Sequence, residues 1–146
     1  MITWKKGDLF LSNCSVLGAP VNAVGTMGAG LAKEFARRFP GLEPAYKKAC
    51  KEGALSIGTP WLWHYDVTQQ NVLCIATKDH WKLPSEHLYI EQAVEWIALN
   101  YVRVGIADLA LPMLGCGLGG LEWSRVKGII ERYLGHIDLP VEVYES

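Results

Sequence analysis

The stretch "SVLGAPVNAVGTMGAGLAKEFARRFP", Ser15 to Pro40, sets a strand, a glycine loop and a helix in uninterrupted order. Residues 15–21 are apolar enough for a buried strand, although Gly18 and Pro20 interrupt it. Pro20 can donate no ladder hydrogen bond, which is odd for a central strand. After the loop, Leu31, Ala32, Phe35 and Phe39 recur at helical spacing, with Lys33, Glu34, Arg37 and Arg38 on the other side. Glycine at a strand-to-helix junction allows positive φ and brings bare N–H groups close to a ligand, usually a phosphate. Residues 25–30 suit a tight turn without a ligand equally well.

Outward from this unit the same alternation continues. "ITWK" reads as a first strand stopped by Gly7, and Pro40-Gly41 ends the first helix. A second helix spans about Glu43 to Lys51, closed by Gly53. "PWLWHYD" and the continuous apolar run "NVLCIATK" read as two strands joined at "VTQQN", only the second buried on both faces. Ser85 is the expected N-cap of a long helix with Ile90, Ala93, Val94, Ile97 and Tyr101 on its apolar stripe. "IADLALPML" is a further buried strand running into "GCGLGG". A helix with Trp123, Val126, Ile130, Tyr133 and Leu134 inward and the strand "VEVYE" complete the chain. This order predicts an α/β domain with helices on both faces of a mostly parallel sheet, where ligands bind beyond the carboxyl ends of strands. Both glycine loops, Gly25–Gly30 and Gly115–Gly120, follow strands and precede helices, so they are placed to flank one cleft.

Composition sets the limits. The 146 residues, half of them hydrophobic, suit one domain with a proper core. Fourteen Lys and Arg against fifteen Asp and Glu give a net charge of -1, so contact with nucleic acid has to be local. Cys14, Cys50, Cys74 and Cys116 are scattered, with neither zinc-site nor disulfide-scaffold spacing, which points to a reducing, cytoplasmic setting. No apolar run approaches the roughly 18 residues of a membrane span. His64, His80, His87 and His136 form no spaced ligand set with the cysteines, so neither metal nor cofactor is expected.

Two phosphate-binding folds are disfavoured. Neither glycine loop ends in the Gly-Lys-Ser/Thr of a nucleoside triphosphatase. "GTMGAG" has Gly-x-x-Gly-x-Gly spacing rather than the dinucleotide fingerprint, and no acidic residue at a following strand end offers itself to a ribose.

"GDLF" (7–10), "VNAVGTMGAGLAKEFARRFP" (21–40), "ATKDHWKLPS" (76–85) and "LPMLGCGLGGLEW" (111–123), in that order, resemble the macrodomains, a family that binds ADP-ribose. The resemblance extends over essentially the whole chain, residues 1–146, as a single macrodomain. It is nearest to the branch of DNA ADP-ribosyl glycohydrolase antitoxins and terminal ADP-ribose protein glycohydrolases. It implies a three-layer α/β/α sandwich around a mixed central sheet.

The resemblance also implies roles. Asp8 would accept from the adenine amine and Leu9 supply a backbone N–H, with Tyr144 packed on the adenine face. Asn22 would hold the distal ribose. Thr26, Met27, Gly28, Gly30 and Leu31, above all the N–H groups of Met27, Gly28 and Gly30, would line the diphosphate. Pro112, Gly115, Cys116, Gly117, Leu118, Gly119 and Gly120 would close over it from the opposite wall. Lys78 matches the catalytic lysine of the related glycohydrolases; a stem partly desolvated at the end of an apolar strand would favour the neutral amine that attacks the anomeric carbon. His80 is within reach for proton transfer, and Trp81 and Lys82 would form a rim for a modified macromolecule. Plainer readings stand beside each: Gly7-Asp8 and Asn22 as turn formers, Lys78 as a solvated strand-end charge, Trp81 as an aromatic folded on the surface.

The chain departs from these relatives at two places. Gly119 stands where the protein-directed enzyme has an aspartate, which favours the DNA-directed type. Cys74, Ile75 and Ala76 precede Thr77 where the DNA-directed type has an Asn-Phe-Pro run, and 146 residues leave no room for the second domain of the antitoxins. The expected function is removal of ADP-ribose from DNA, thymidine-linked, by a monomer that acts on single-stranded DNA. The alternatives are a hydrolase of ADP-ribose 1″-phosphate or another free metabolite, and a non-catalytic ADP-ribose reader.

Overall fold

The computed structural model describes residues 1–145. Strands β1 (Ile2–Lys5), β2 (Val16–Asn22), β3 (Trp61–Trp63), β4 (Asn71–Lys78), β5 (Leu109–Leu111) and β6 (Val141–Tyr144) form one sheet in the order β1-β6-β5-β2-β4-β3. Neighbours are parallel except β3, which runs antiparallel to β4. Helices α1 (Gly30–Arg38) and α2 (Leu42–Lys51) cover one face, and α3 (His87–Val104) and α4 (Trp123–Leu134) the other.

The continuous apolar run of β4 separates into two half-faces with the strand's period of two. Val72, Cys74 and Ala76 pack with Phe35, Leu42 and Tyr46 on the α1/α2 side. Leu73 and Ile75 pack with Ile90, Val94, Ile97, Val126 and Ile130 on the α3/α4 side. β5 divides likewise, Ala110 to the first cluster and Leu109 and Leu111 to the second. Both faces are covered by helices, so the sandwich anticipated from the sequence is the observed fold, with a mixed sheet. No helix among the described residues is long and apolar enough to cross a membrane.

Pro20 does sit in a strand with neighbours on both sides. Its ladder with β5, however, involves only Val16 and Leu17, whereas its ladder with β4 runs the length of the strand. At Pro20, β2 is paired on one side only, so the lost N–H is tolerated there. The departure of β5 from β2 beyond Leu17 also leaves the two following loops room to face each other.

Several elements are shorter than expected. β5 occupies Leu109–Leu111 rather than residues 106–114, because Pro112 cannot extend a ladder. β3 occupies Trp61–Trp63 rather than residues 60–66; beyond it the Tyr65 N–H donates to Asn71 Oδ1 at 3.0 Å instead of to a strand. Ser85 is not the N-cap of α3. That place falls to Glu86 without a side-chain cap bond, while the Ser85 N–H donates to the Gly119 carbonyl at 3.1 Å. A 3₁₀ turn at Leu9–Leu11, capped by Asp8, was not anticipated.

Gly18 is required by close approach. A Cβ there would lie 2.7 Å from Leu111 Cδ2 and 3.3 Å from the Ala110 carbonyl oxygen. Gly18→Ala is expected to destabilise the fold by about 1–3 kcal/mol through overpacking. In urea unfolding the midpoint should fall at unchanged m-value.

Candidate functional site

The strand order brings the carboxyl ends of β2, β4 and β5 together, and the site is built there. At the end of β2 the register with β4 shifts between Val21 and Asn22, so that Thr77 is skipped and Asn22 pairs with Lys78. The Ala23 N–H then donates to the Lys78 carbonyl at 2.9 Å. Such irregularities re-aim side chains at the ends of strands. Here it sets the two residues expected to carry chemistry side by side on neighbouring strands.

Asn22 is buried, and its carboxamide organises the loop that follows. Oδ1 accepts from the N–H groups of Val24 (3.1 Å), Gly25 (3.1 Å) and Thr26 (3.3 Å), and Nδ2 donates to the Thr26 carbonyl at 2.9 Å. The Tyr46 hydroxyl lies 2.6 Å from the Asn22 carbonyl oxygen and 2.7 Å from Oδ1, sharing its one proton between them. Burial pushes the Tyr46 phenol well above its ordinary range, so it remains a donor. One Nδ2 hydrogen is left for anything else that Asn22 might hold.

The expectation for Met27 is corrected. Its N–H donates to Glu43 Oε2 at 3.0 Å, which removes it from an anion cradle. The amides of residues 24–27 are thus all taken up inside the protein. The next ones are not. Gly28 has no partner among the described residues, and Gly30 and Leu31 open α1, where N–H groups have no helical acceptor. The N-cap is Ala29, which makes no side-chain cap bond, and the first turn carries no acidic residue. The positive end of α1 is therefore left uncompensated, as an anion requires.

The second wall is the loop from Pro112 to Leu121. Pro112, Gly115 and Gly119 are buried, and Gly117, Leu118 and Gly120 are exposed. Gly30 has φ +57°, and a Cβ on it would lie 3.1 Å from Leu118 Cδ1, so the two glycine loops meet across this point. Leu121 N–H bonds the Gly115 carbonyl at 2.9 Å, and Gly120 N–H the Gly117 carbonyl at 3.2 Å, which close the loop on itself. A Cβ on Gly119 would fall 2.3 Å from Ser85 Oγ and 2.4 Å from the Gly115 carbonyl oxygen. A carboxylate cannot stand at 119 in this loop. Burial raises the Cys116 thiol, and its Sγ faces the Leu114 carbonyl at 3.4 Å, the behaviour of a packing residue.

Lys78 is half-buried, and its Nζ has no hydrogen-bond or ion-pair partner among the described residues. His80 is engaged locally: Nδ1 accepts from the Lys82 N–H at 3.1 Å and shapes the turn that follows Lys78. At the other end, Asp8 accepts from Phe10 N–H at 2.9 Å, while Leu9 and Tyr144 lie buried in the same cluster as Val21 and Met27. The Tyr144 hydroxyl donates to Glu142 Oε1 at 2.9 Å. A surface depression of ≈ 890 Å³ lies elsewhere, against Thr3, Cys14, Asp108, His136 and Glu142, and none of the site residues lines it.

The parts that Tyr46, Glu43 and Ser85 play at the site were not read from the sequence. Tyr46 falls on the inward stripe of α2 with Leu42 and Ala49. A phenol there must find a partner, but nothing in the sequence names Asn22 as that partner.

A family model described as Macro domain matches residues 19–130, and the chain belongs to that family. The DNA ADP-ribosyl glycohydrolase of Mycobacterium tuberculosis is 38% identical over 87% of this chain and 37% of that protein. The macrodomain of Thermus aquaticus DarG superposes with a TM-score of 0.93 at 34% identity, covering 100% of this chain and 99% of that one. Thermosipho africanus DarTG, solved in complex with ADP-ribose, has a TM-score of 0.94 at 39% identity over 98% of this chain and 41% of that one. The chain spans 37–41% of the length of four curated relatives that it matches, the Mycobacterium tuberculosis protein among them.

Asn22→Ala strands three loop amides and the Tyr46 hydroxyl, and should cost about 2–4 kcal/mol. Hydrogen exchange should accelerate at residues 24–26 before the rest of the sheet opens. Gly119→Asp should lower the melting temperature by several degrees and increase exchange across residues 115–121; a variant that melts like wild type would show that the loop yields to a side chain.

Proposed function

We propose that this macrodomain, residues 1–146, binds ADP-ribose between its two glycine loops and releases it from a modified nucleobase in DNA. The observation that carries the reading is the pairing of Lys78 with Asn22 at the mouth of a cradle whose unfilled donors are backbone N–H groups. A diphosphate suits that cradle because it needs closely approaching donors and a helix N-terminus, not a particular side chain. The related proteins named for DNA ADP-ribosyl glycohydrolase activity, and the one solved with ADP-ribose, support the same assignment.

In the proposed reaction, Lys78 Nζ as the neutral amine attacks the anomeric carbon of the distal ribose. The bond from that carbon to the base nitrogen breaks, its electron pair leaves with the base, and the base nitrogen takes up the proton that the new lysyl nitrogen loses. Water then adds to the anomeric carbon, and Lys78 departs as the free amine with ADP-ribose as product. Asn22 holds the loop in shape and offers its remaining Nδ2 hydrogen to the ribose. With glycine at 119 no second carboxylate assists, so the lysine works without a partner acid in that loop. Asp8, Leu9 and Tyr144 would receive the adenine end, and Gly28, Gly30 and Leu31 the diphosphate.

Lys78→Ala and Lys78→Arg should each lower release of ADP-ribose from an ADP-ribosylated oligonucleotide by roughly 10³-fold or more, because neither leaves a nucleophilic amine. ADP-ribose affinity, measured by calorimetry, should change little in either variant. Wild type that binds ADP-ribose yet leaves the oligonucleotide modified would make the domain a reader or a metabolite hydrolase instead.

A further inference from the structure

Among the described residues Tyr46 is the largest side chain that is fully buried, at 0% exposure. Its ring packs in the same cluster as Phe35, Leu42 and Cys74. A phenylalanine would fill that place as well, and a buried hydroxyl is destabilising unless it is bonded. The hydroxyl is therefore explained by what it touches. Both of its partners belong to Asn22: the main-chain carbonyl oxygen at 2.6 Å and the carboxamide Oδ1 at 2.7 Å.

Asn22 Oδ1 does not need this donor to be satisfied. A carboxamide oxygen has two lone pairs, and the N–H groups of Val24, Gly25 and Thr26 already donate to it at 3.1, 3.1 and 3.3 Å. What separates the four donors is where they come from. The three amides, and the Thr26 carbonyl that accepts from Nδ2, lie within four residues of Asn22, so they shape the loop but move with it. Among the described residues, Tyr46 Oη is the one partner of the carboxamide from outside that loop, 24 residues along the chain on α2. One turn earlier on the same helix, Glu43 accepts from the Met27 N–H at 3.0 Å, so α2 grips the first glycine loop near both ends. With Oδ1 facing Tyr46 and one Nδ2 hydrogen on the Thr26 carbonyl, the carboxamide has a single orientation, and its second Nδ2 hydrogen is what it can offer a ligand. Hydrogen bonds weaken steeply with misalignment, so a carboxamide that rocked with its loop would hold a ligand poorly. The Tyr46 hydroxyl also reaches the Asn22 main chain beside the register shift that sets Asn22 opposite Lys78.

We propose that Tyr46 is a positioning residue: from within the core, touching no part of the ligand, it orients the Asn22 carboxamide for its hydrogen bond to the distal ribose of ADP-ribose. This rests on the ADP-ribose reading above. It adds to that reading a residue on α2 that governs how the site tells ADP-ribose from a nucleotide without the second sugar.

The test is calorimetry of ADP-ribose and of ADP, the same nucleotide without the distal ribose, on wild type, Tyr46→Phe, Asn22→Ala and the double variant. Tyr46→Phe keeps the ring and removes only the hydroxyl. It should weaken ADP-ribose roughly 3- to 10-fold, the worth of one hydrogen bond, and leave ADP within about twofold of wild type. In the Asn22→Ala background the same substitution should leave the ratio of the two affinities unchanged, because the group through which Tyr46 acts is already gone. Equal losses for ADP and ADP-ribose in Tyr46→Phe overturn the proposal and make the hydroxyl a structural support of the whole loop. Unchanged affinity for both ligands overturns it as well. So does a further fall of the ratio in the double variant, which would give the hydroxyl a route to the ribose that bypasses Asn22. Wild type that binds neither nucleotide overturns the ADP-ribose reading and the role of Tyr46 with it. Wild type that binds ADP-ribose without releasing it from a modified oligonucleotide overturns the glycohydrolase reading alone, and the affinities still decide the role of Tyr46.

Discussion

One carboxamide oxygen holds the functional end of this molecule together. Asn22 Oδ1 gathers three successive loop amides and the Tyr46 phenol, with the bonds to Gly25 and Tyr46 fully buried. Each of these donors would carry a desolvation cost if left unpaired, so the loop has one favourable path out of β2. That path directs the Met27 N–H to Glu43 and starts α1 at Gly30 with an apolar N-cap. The pattern of filled and unfilled donors underlies the proposed anion site: the first amides of the loop are consumed in building it, and those at the start of α1 are left without an acceptor.

The electrostatics follow from this. A chain of net charge -1 cannot collect polyanions by its overall field, yet partial charges from a helix terminus and glycine amides act at short range in a site shielded by the facing loop. Such a site prefers a compact anion over an extended one. A lone glycine-rich loop achieves little of this. It is the meeting of Gly30 and Leu118, and the staple from Ser85 to Gly119, that turn two loops into one cleft.

Gly119 shows how packing constrains chemistry. Its neighbours leave no volume for any side chain, so the residue that distinguishes this loop from that of the protein-directed glycohydrolases is fixed by sterics against Ser85 and Gly115. A lysine mechanism without a partner carboxylate in that loop is therefore consistent with the architecture as well as with the sequence. Ser85, read from the sequence as a helix cap, turns out to belong to this contact.

The sequence by itself determined the layers. Apolar periodicity separated strands from helices, the double-faced run of β4 identified a strand covered on both sides, and the glycine loops were legible because each sits between a strand and a helix. Those are local signals, since period and backbone freedom depend on a residue and its near neighbours. Strand lengths were less legible: β5 stops at Pro112 and β3 gives way to an Asn71 side chain, and neither competition shows in an apolar run. Only the tertiary structure decided which amides are available. Met27 and Gly28 are adjacent in the same loop, but one amide faces a carboxylate from α2 and the other does not. Likewise, the pairing of Asn22 with Lys78 depends on a register shift between strands 56 residues apart, since 78 − 22 = 56. Hydrogen-bond partners and register are properties of contacts distant along the chain, and they are fixed when the elements pack.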